Sequence, residues 1–359
     1  MSDTFLSVRG VSKRFGSVTA LADIELTVGR DELLVVVGPT RAGKTTLLRV
    51  IAGLERPDSG TIEMNGADVS DASPAARDVA LVFQNFSLYP NWSVRKNIEF
   101  PLRAPGRGLT EEQIQGQVSF VAGLLRIEHL LDRKSTRLSG GEMQRVAIGR
   151  AIARKPRLFL MDEPLTNLDA KLREALRVEL VELRRKLGTP MIFVTHNQAE
   201  ALSMGDRVVV LSEGRVLQDA TPQEIYRKPR SPAVARQLGQ PRINVLAVFA
   251  NDGFLRTGSG VPLLPLRPDT PRQPLMLGVR PEDIALEGGS HPGTVELLEN
   301  MGPAKIAVVA WAGEHVHVLV PKSAPLKQGD RVYPRFDPDR AVLWPVPERG
   351  GDAPREGTN

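Results

Sequence analysis

Cysteine is absent from the 359-residue chain, which excludes disulfide scaffolds, Cys-bound zinc, iron–sulfur clusters and thiol nucleophiles. No apolar run approaches the ~18 residues that cross a bilayer, so work at a membrane is expected to be done through partners. The first residues, MSDTFLSVRG, lack the charged-then-apolar pattern of an export signal, and export is not expected. A concentrated basic tract is also missing. Lys and Arg number 47 against 42 Asp and Glu, for a net charge of +5, but the two signs are interspersed as on a solvated surface. No nucleic-acid partner is therefore expected. At ~150 residues per domain the length suggests two domains, and 41% apolar residues suffice for a sizeable core without disulfides or a structural metal.

The two parts of the chain are patterned differently. In the first, short apolar runs alternate with amphipathic stretches. Leu33 to Val37 ends at Gly38, Leu158 to Met161 ends at Asp162 and Glu163, and Met191 to Thr195 ends at His196. Such runs predict buried parallel strands of an α/β sheet, with polar residues at the carboxyl ends where these sheets bind ligands. Ala170 to Leu187 predicts a helix, because Leu172, Leu176, Leu180, Leu183 and Leu187 recur at three- and four-residue spacing. After Gln240 the pattern changes: 16 of the 28 prolines lie in this last third. Proline cannot continue a helix, so a small barrel or sandwich of short strands is expected. Lys305 to Trp311 and His315 to Val320 predict a hairpin, with His315 and His317 on one face read as solvated rather than as half a metal site. The resulting domains are 1–239 (α/β), 240–347 (all-β) and a polar, Gly-rich tail at 348–359 expected to be disordered.

Gly38-Pro39-Thr40-Arg41-Ala42-Gly43-Lys44-Thr45 matches G-x-x-x-x-G-K-[ST] between a predicted strand and a helical segment, Thr46 to Ala52. Loop and helix N–H groups in such a turn converge on phosphate oxygens, Lys44 adds a charge, and the Thr45 hydroxyl suits Mg²⁺. Leu138-Ser139-Gly140-Gly141 opens a second helical stretch running to about Arg154, either as an anion-binding end or as an ordinary capped entrance. Asp162 suits Mg²⁺, and Glu163 suits orienting or deprotonating an attacking water. Asp169 caps the long helix, and His196 is placed to bond a terminal phosphate or the water, with Glu163 as partner. Leu81 to Asn85 is read as a strand ending in Gln84, a Mg²⁺ or water ligand, or else a solvated amide.

These segments, in this order, resemble the nucleotide-binding subunit of ATP-binding cassette (ABC) transporters over roughly residues 5–240. The resemblance implies an α/β P-loop NTPase cassette with a helical signature subdomain, followed by an all-β, OB-like (TOBE-type) regulatory domain. It implies ATP and Mg²⁺ as cofactors, Lys44, Gln84, Glu163 and His196 as catalytic groups, and Thr45, Gln84 and Asp162 as metal ligands. Nucleotide contacts carried over are Gly38 to Thr46, Asp169 and Phe15, whose ring matches the one that stacks on adenine; a core residue is its other reading. Two such subunits pack head to tail, each ATP lying between one P-loop and the partner's Ser139-Gly140-Gly141 segment. The segment Asn85 to Leu102 looks like the surface that receives the membrane subunits. Thr221 to Tyr226, Gln237-Leu238-Gly239, Asn244 and Gly278 to Asp283 are similar to the maltose-type carbohydrate importers.

That similarity implies an ATPase at the cytoplasmic side of the plasma membrane. It would work with two transmembrane permeases, a solute-binding protein, and a second ATPase subunit that is a copy or a paralogue. P-loops of this Thr-x-Ala-Gly-Lys-Thr form also occur in glycerol-uptake relatives, which points to a sugar, polyol, glycerol or glycerol phosphate as solute. The alternative is an importer of polyamines, iron or anions. A ribosome- or DNA-directed cassette would carry a second cassette or a coiled-coil insertion, and a non-catalytic regulator would lack the acids or the histidine. Four positions depart from the usual family form: Arg41 for Gly, Glu142 for Gln, Thr166 for Ser and Asn197 for Asp. Arg41 either stores backbone strain or adds charge near phosphate.

Overall fold

The computed structural model describes residues 4–268, 270–271 and 273–346; the tail at 348–359 lies outside the described residues. The chain separates into two compact units, 1–223 and 224–359. Residues 224–239, counted with the α/β domain from sequence, pack instead with the second unit. Arg280, 4% exposed, lies 3.9 Å over the Tyr226 ring and donates to the carbonyls of Tyr226, Ala235 and Leu238. Trp344 Nε1 donates to Pro229 O at 2.8 Å.

The strands of the first unit are β1 (Thr4–Phe15), β2 (Val18–Gly29), β3 (Leu33–Val37), β4 (Ser59–Met64), β5 (Ala67–Asp68), β6 (Val79–Val82), β7 (Leu158–Asp162), β8 (Met191–Thr195), β9 (Arg207–Ser212) and β10 (Arg215–Ala220). Its helices are α1 (Lys44–Ala52), α2 (Pro74–Arg77), α3 (Val94–Glu99), α4 (Glu111–Leu125), α5 (Gly140–Ala153), α6 (Ala170–Leu187) and α7 (Gln198–Met204). One sheet is antiparallel, in the order β2-β1-β4-β5; the other runs β10-β9-β3-β8-β7-β6. Strands β9, β3, β8, β7 and β6 of the second sheet are parallel. Strands β3, β7 and β8 are buried at every position, as expected of parallel strands covered on both faces. Leu47, Leu48 and Ile51 of α1 share one core with Leu6 and Val8 of β1 and with Leu34 and Val36 of β3.

Helix α1 begins at Lys44, two residues earlier than the sequence pattern suggests, because Gly43 at φ 103° closes the loop directly into the first turn. Its far end is held by Arg77, which is 2% exposed and has no acidic partner within ion-pair distance among the described residues. The guanidinium donates to Val50 O (2.8 Å), Ile51 O (2.9 Å), Ser70 O (2.8 Å) and Ala72 O (3.1 Å). A cation on the last carbonyls of a helix satisfies orphan acceptors and offsets the negative end of the dipole. Burial lowers the Arg77 pKa from its ordinary value, so the charge is kept at a desolvation cost.

The second unit is antiparallel throughout. A five-stranded sheet, a four-stranded sheet and a two-stranded pair enclose one core containing Leu246, Leu277, Val295, Val309, Trp311, Val318 and Phe336. The predicted hairpin is present as Ala304–Trp311 paired with Glu314–Pro321, closing at Trp311 opposite Glu314. His315 and His317 are exposed on it, and His315 Nε2 lies 2.9 Å from Glu296 Oε2. The side chain of Asn244 links the two larger sheets, donating to Val279 O and His317 O and accepting the His317 N–H at 2.7 Å.

Replacing Arg77 by Met removes one donor from each of four carbonyls, so unfolding in urea should show a loss of about 2–4 kcal/mol; a loss under ~0.5 kcal/mol would contradict the capping role.

Candidate functional site

The register of the parallel sheet sets four strand ends side by side. Val37 lies opposite Thr195, Asp162 opposite Val194, and Val82 opposite Met161. The residues just beyond three of these ends, Gly38, His196 and Glu163, therefore lie along one carboxyl edge, with Gln84 two residues past the fourth, where open α/β sheets leave a ligand crevice.

The loop from Gly38 to Thr45 is shaped by the backbone. A β-carbon on Gly38 would lie 2.1 Å from Leu211 O, and one on Gly43 would lie 2.4 Å from Ala20 O. Gly43 is the N-cap of α1 and offers no side chain to the first helical N–H groups. Those donors, with the positive end of the helix dipole, suit an anion. Arg41 adopts φ 68°, a left-handed conformation costing an L residue ~1–2 kcal/mol, so its backbone is strained, and its side chain is exposed. Pro39 O accepts the Ala42 N–H at 3.2 Å, Thr40 is exposed in the turn, and Thr46 sits half-buried in the first turn of α1.

Lys44 is 5% exposed, and its Nζ lies 2.9 Å from both Gly38 O and Pro39 O and 3.4 Å from Glu163 Oε1. Glu163 stands at φ 46° just past β7, its N–H bonded to Val194 O at 3.0 Å. Its Oε2 lies 2.8 Å from His196 Nδ1 and accepts Thr166 Oγ1 at 3.2 Å. Thr45 Oγ1 donates to Asp162 Oδ1 at 3.1 Å. Burial pushes the Asp162 carboxyl above its ordinary 3.8, and the Thr45 hydroxyl works against that shift. A hydroxyl and a carboxylate in contact are the oxygen donors that a hard divalent cation takes, so these residues fit Mg²⁺ as the loop fits phosphate.

Gln84 departs from the sequence reading. Strand β6 ends at Val82, and Gln84 lies in the turn that follows, exposed, its carbonyl accepting Asn167 Nδ2 at 3.1 Å. The chain turns there because Phe86 and Ser87 adopt φ 61° and 49°, and Arg150 donates to both of their carbonyls. Ser139 caps α5 in a box closed by Glu142, whose Oε2 accepts the Ser139 N–H at 2.7 Å. Gly141 admits close packing of α5 on α6: a β-carbon would lie 2.2 Å from Leu172 Cδ2. Among the described residues Ser139-Gly140-Gly141 makes no hydrogen bond to the chain's own Gly38–Thr45 loop. Asp169 caps α6 through the Leu172 N–H at 2.9 Å. Phe15 is 46% exposed, with Lys13 Nζ 5.3 Å from the ring centre, which rules out the core reading.

Two features were not legible from spacing. Arg173 of α6 donates to the carbonyls of Leu165, Thr166 and Leu168 and so holds the loop between Glu163 and Asp169. Glu200 is 4% exposed and takes the Thr195 hydroxyl at 2.6 Å. No motif marks either residue.

Residues 21–166 match the ABC transporter family, and residues 277–344 match the TOBE domain. The chain is 40% identical to the sn-glycerol-3-phosphate import ATP-binding protein UgpC of Cupriavidus pinatubonensis, over 93% of this chain and 95% of the relative. The chain belongs to the ATP-binding subunits of ABC transporters. Similar relatives bearing that protein name come from Chromohalobacter salexigens (42% identity; 88% of this chain, 86% of the relative) and Rhizobium etli (44%; 89% and 91%). A solved nucleotide-free ATP-binding cassette from an ABC transporter superposes with a TM-score of 0.59 at 25% identity, over 66% of this chain and all of that one. A dimeric cassette in a post-hydrolysis state bound to ADP and Pi gives 0.55 at 29% identity, over 60% and 98%. This ABC subunit is thus an ATPase, built as a cassette followed by a TOBE domain.

Because burial raises the Asp162 pKa, the folded state holds the proton more tightly than the unfolded chain. The carboxylate therefore costs stability as pH rises from 3.8 through the folded value, and the cost is constant above it. Asp162→Asn should raise the melting temperature of the nucleotide-free protein at neutral pH, with the gain shrinking toward acid. It should lower ATP hydrolysis by roughly a hundredfold or more. A lower melting temperature at neutral pH would contradict the desolvation account.

Proposed function

We propose that this ABC subunit powers the uptake of a sugar, polyol, glycerol or glycerol phosphate-like solute. The reading is supported by relatives that carry sn-glycerol-3-phosphate import in their names and match nearly their whole length. The observation that carries the chemistry is Glu163, whose carboxylate bridges Lys44 and His196 at the edge of the sheet.

In this proposal ATP phosphates take the loop N–H groups and Lys44, and Phe15 stacks on adenine. Lys44 exchanges the carbonyls of Gly38 and Pro39 and the Glu163 carboxylate for phosphate oxygens. That exchange frees one Glu163 oxygen to take a proton from water, while His196 turns toward the terminal phosphate. Thr45, Asp162 and Gln84 would hold Mg²⁺, which when bound offsets charge on the phosphate oxygens. Two cassettes, copies or paralogues, pack so that the exposed Ser139-Gly140-Gly141 segment of one meets the Gly38–Thr46 loop and nucleotide of the other, with Asp169 beside the same interface.

Two transmembrane permeases dock on the surface around Asn85 to Leu102, and a solute-binding protein delivers the solute to them. This docking is supported by a groove of about 650 Å³ lined by Leu54, Leu81, Phe83, Phe100 and Arg107. Beside it, Tyr89, Trp92 and Phe100 form an exposed aromatic cluster with ring centres 4.3–5.6 Å apart. Among the described residues no helix is long and apolar enough to cross a membrane, and the subunit is placed peripherally on the cytoplasmic face through these partners.

Affinity purification from detergent-solubilised cells should recover two polytopic permeases; recovery of ribosomal or DNA-repair proteins in their place would overturn the importer reading. Glu163→Gln should keep ATP binding and lower turnover by ~10²–10⁴-fold, and unchanged turnover would remove Glu163 from its role as base.

A further inference from the structure

We propose that Thr195 and Glu200 are positioning residues for His196, forming a buried bracket that fixes the backbone turn from which the imidazole reaches Glu163 and, with ATP bound, the terminal phosphate. The inference rests on the reading of His196 as a hydrolysis residue.

Thr195 is the last residue of β8 and is 1% exposed. Its hydroxyl donates to Glu200 Oε2 at 2.6 Å and accepts the Asn197 N–H at 2.9 Å. One oxygen thus joins the strand end on one side of His196 to the turn on the other. A hydroxyl has a single hydrogen and two lone pairs. With the hydrogen committed to Glu200, a lone pair is left facing Asn197. The Asn197 side chain then accepts the N–H groups of Ala199 (2.9 Å) and Glu200 (3.4 Å), which starts α7 and returns the chain to Glu200. His196 is the exposed residue inside this closed ring of bonds, and its Nδ1 reaches Glu163 Oε2 at 2.8 Å.

The carboxylate in this bracket is costly. Glu200 is almost fully buried, and desolvation raises its pKa; Arg173 and His196 favour the ionised form and Glu163 opposes it. An apolar residue at such a position avoids that desolvation. What the acid supplies is an acceptor for Thr195, and through it a fixed turn. Displacements of about 1 Å at a reacting group cost up to ~10²-fold in rate, which sets the scale of the expected effect.

The test compares Thr195→Val, Glu200→Ala, Glu200→Gln and His196→Ala in the full-length chain, reading kcat and KM for ATP, melting temperature and histidine ¹⁵N spectra. Glu200→Gln keeps an acceptor oxygen; the first two variants remove the bond. The expected result has Thr195→Val and Glu200→Ala lowering kcat by ~10–100-fold, with KM within about twofold and the melting temperature largely kept. Glu200→Gln should recover most of the rate. In the spectra, His196 should hold its proton on Nδ1 in wild type and Glu200→Gln, and average between tautomers in Thr195→Val. Wild-type kcat in Thr195→Val and Glu200→Ala, or kcat, KM and melting temperature all failing together, would overturn the bracket while His196→Ala stays inactive. A Glu200→Gln variant as slow as Glu200→Ala would also overturn it, since charge rather than the acceptor would then be required. Full activity in His196→Ala would instead sink the underlying reading of His196.

Discussion

Lys44 carries a positive charge into a site where it is only 5% exposed, and its ammonium has to be met by oxygen on every side. Two of those oxygens are carbonyls of the loop that follows β3, and the third belongs to Glu163 at the end of β7. Glu163 in turn faces His196 at the end of β8. One buried cation therefore ties three strand ends together, and a strained φ of 46° is tolerated at Glu163 because these contacts over-determine it. A ligand with phosphate oxygens would compete for the same ammonium hydrogens, and taking them would release the Glu163 oxygen that faces Lys44.

The helix that begins at Lys44 shows the same logic at both ends. Its N-terminus has glycine as cap and no side-chain bond to its first N–H groups, which forgoes the ~1 kcal/mol of a side-chain cap. Its C-terminus is closed by Gly53 and by the two bonds that Arg77 gives to Val50 O and Ile51 O. Stability withheld at the uncapped end is recovered at the opposite end, inside the core that the helix shares with both sheets.

The second unit is organised by two polar residues rather than by its apolar core alone. Asn244 bridges its two larger sheets, and Arg280 draws Tyr226, Ala235 and Leu238 against the strands of this unit. Both were visible in the sequence as matches to a subfamily pattern, but the pattern says nothing of what they hold.

Much of the architecture was open to reading from the chain alone. Apolar runs ending in Gly38, Asp162 and His196 locate buried parallel strands, because only a strand covered on both faces is apolar at successive positions. The leucine spacing of Ala170–Leu187 and the G-x-x-x-x-G-K-T loop are likewise local signals, set by periodicity and by backbone freedom at glycine. The bonds that finish the site are not local. Arg77 reaches carbonyls 26 and 27 residues away, Thr45 meets Asp162 across 117, and Asn167 meets Gln84 across 83. The end of β6 at Val82 and the assignment of residues 224–239 to the second unit also follow from partners distant in sequence. Periodicity reports which face of an element is buried; which side chain a buried polar group finds there depends on how strands far apart in the chain come to lie side by side.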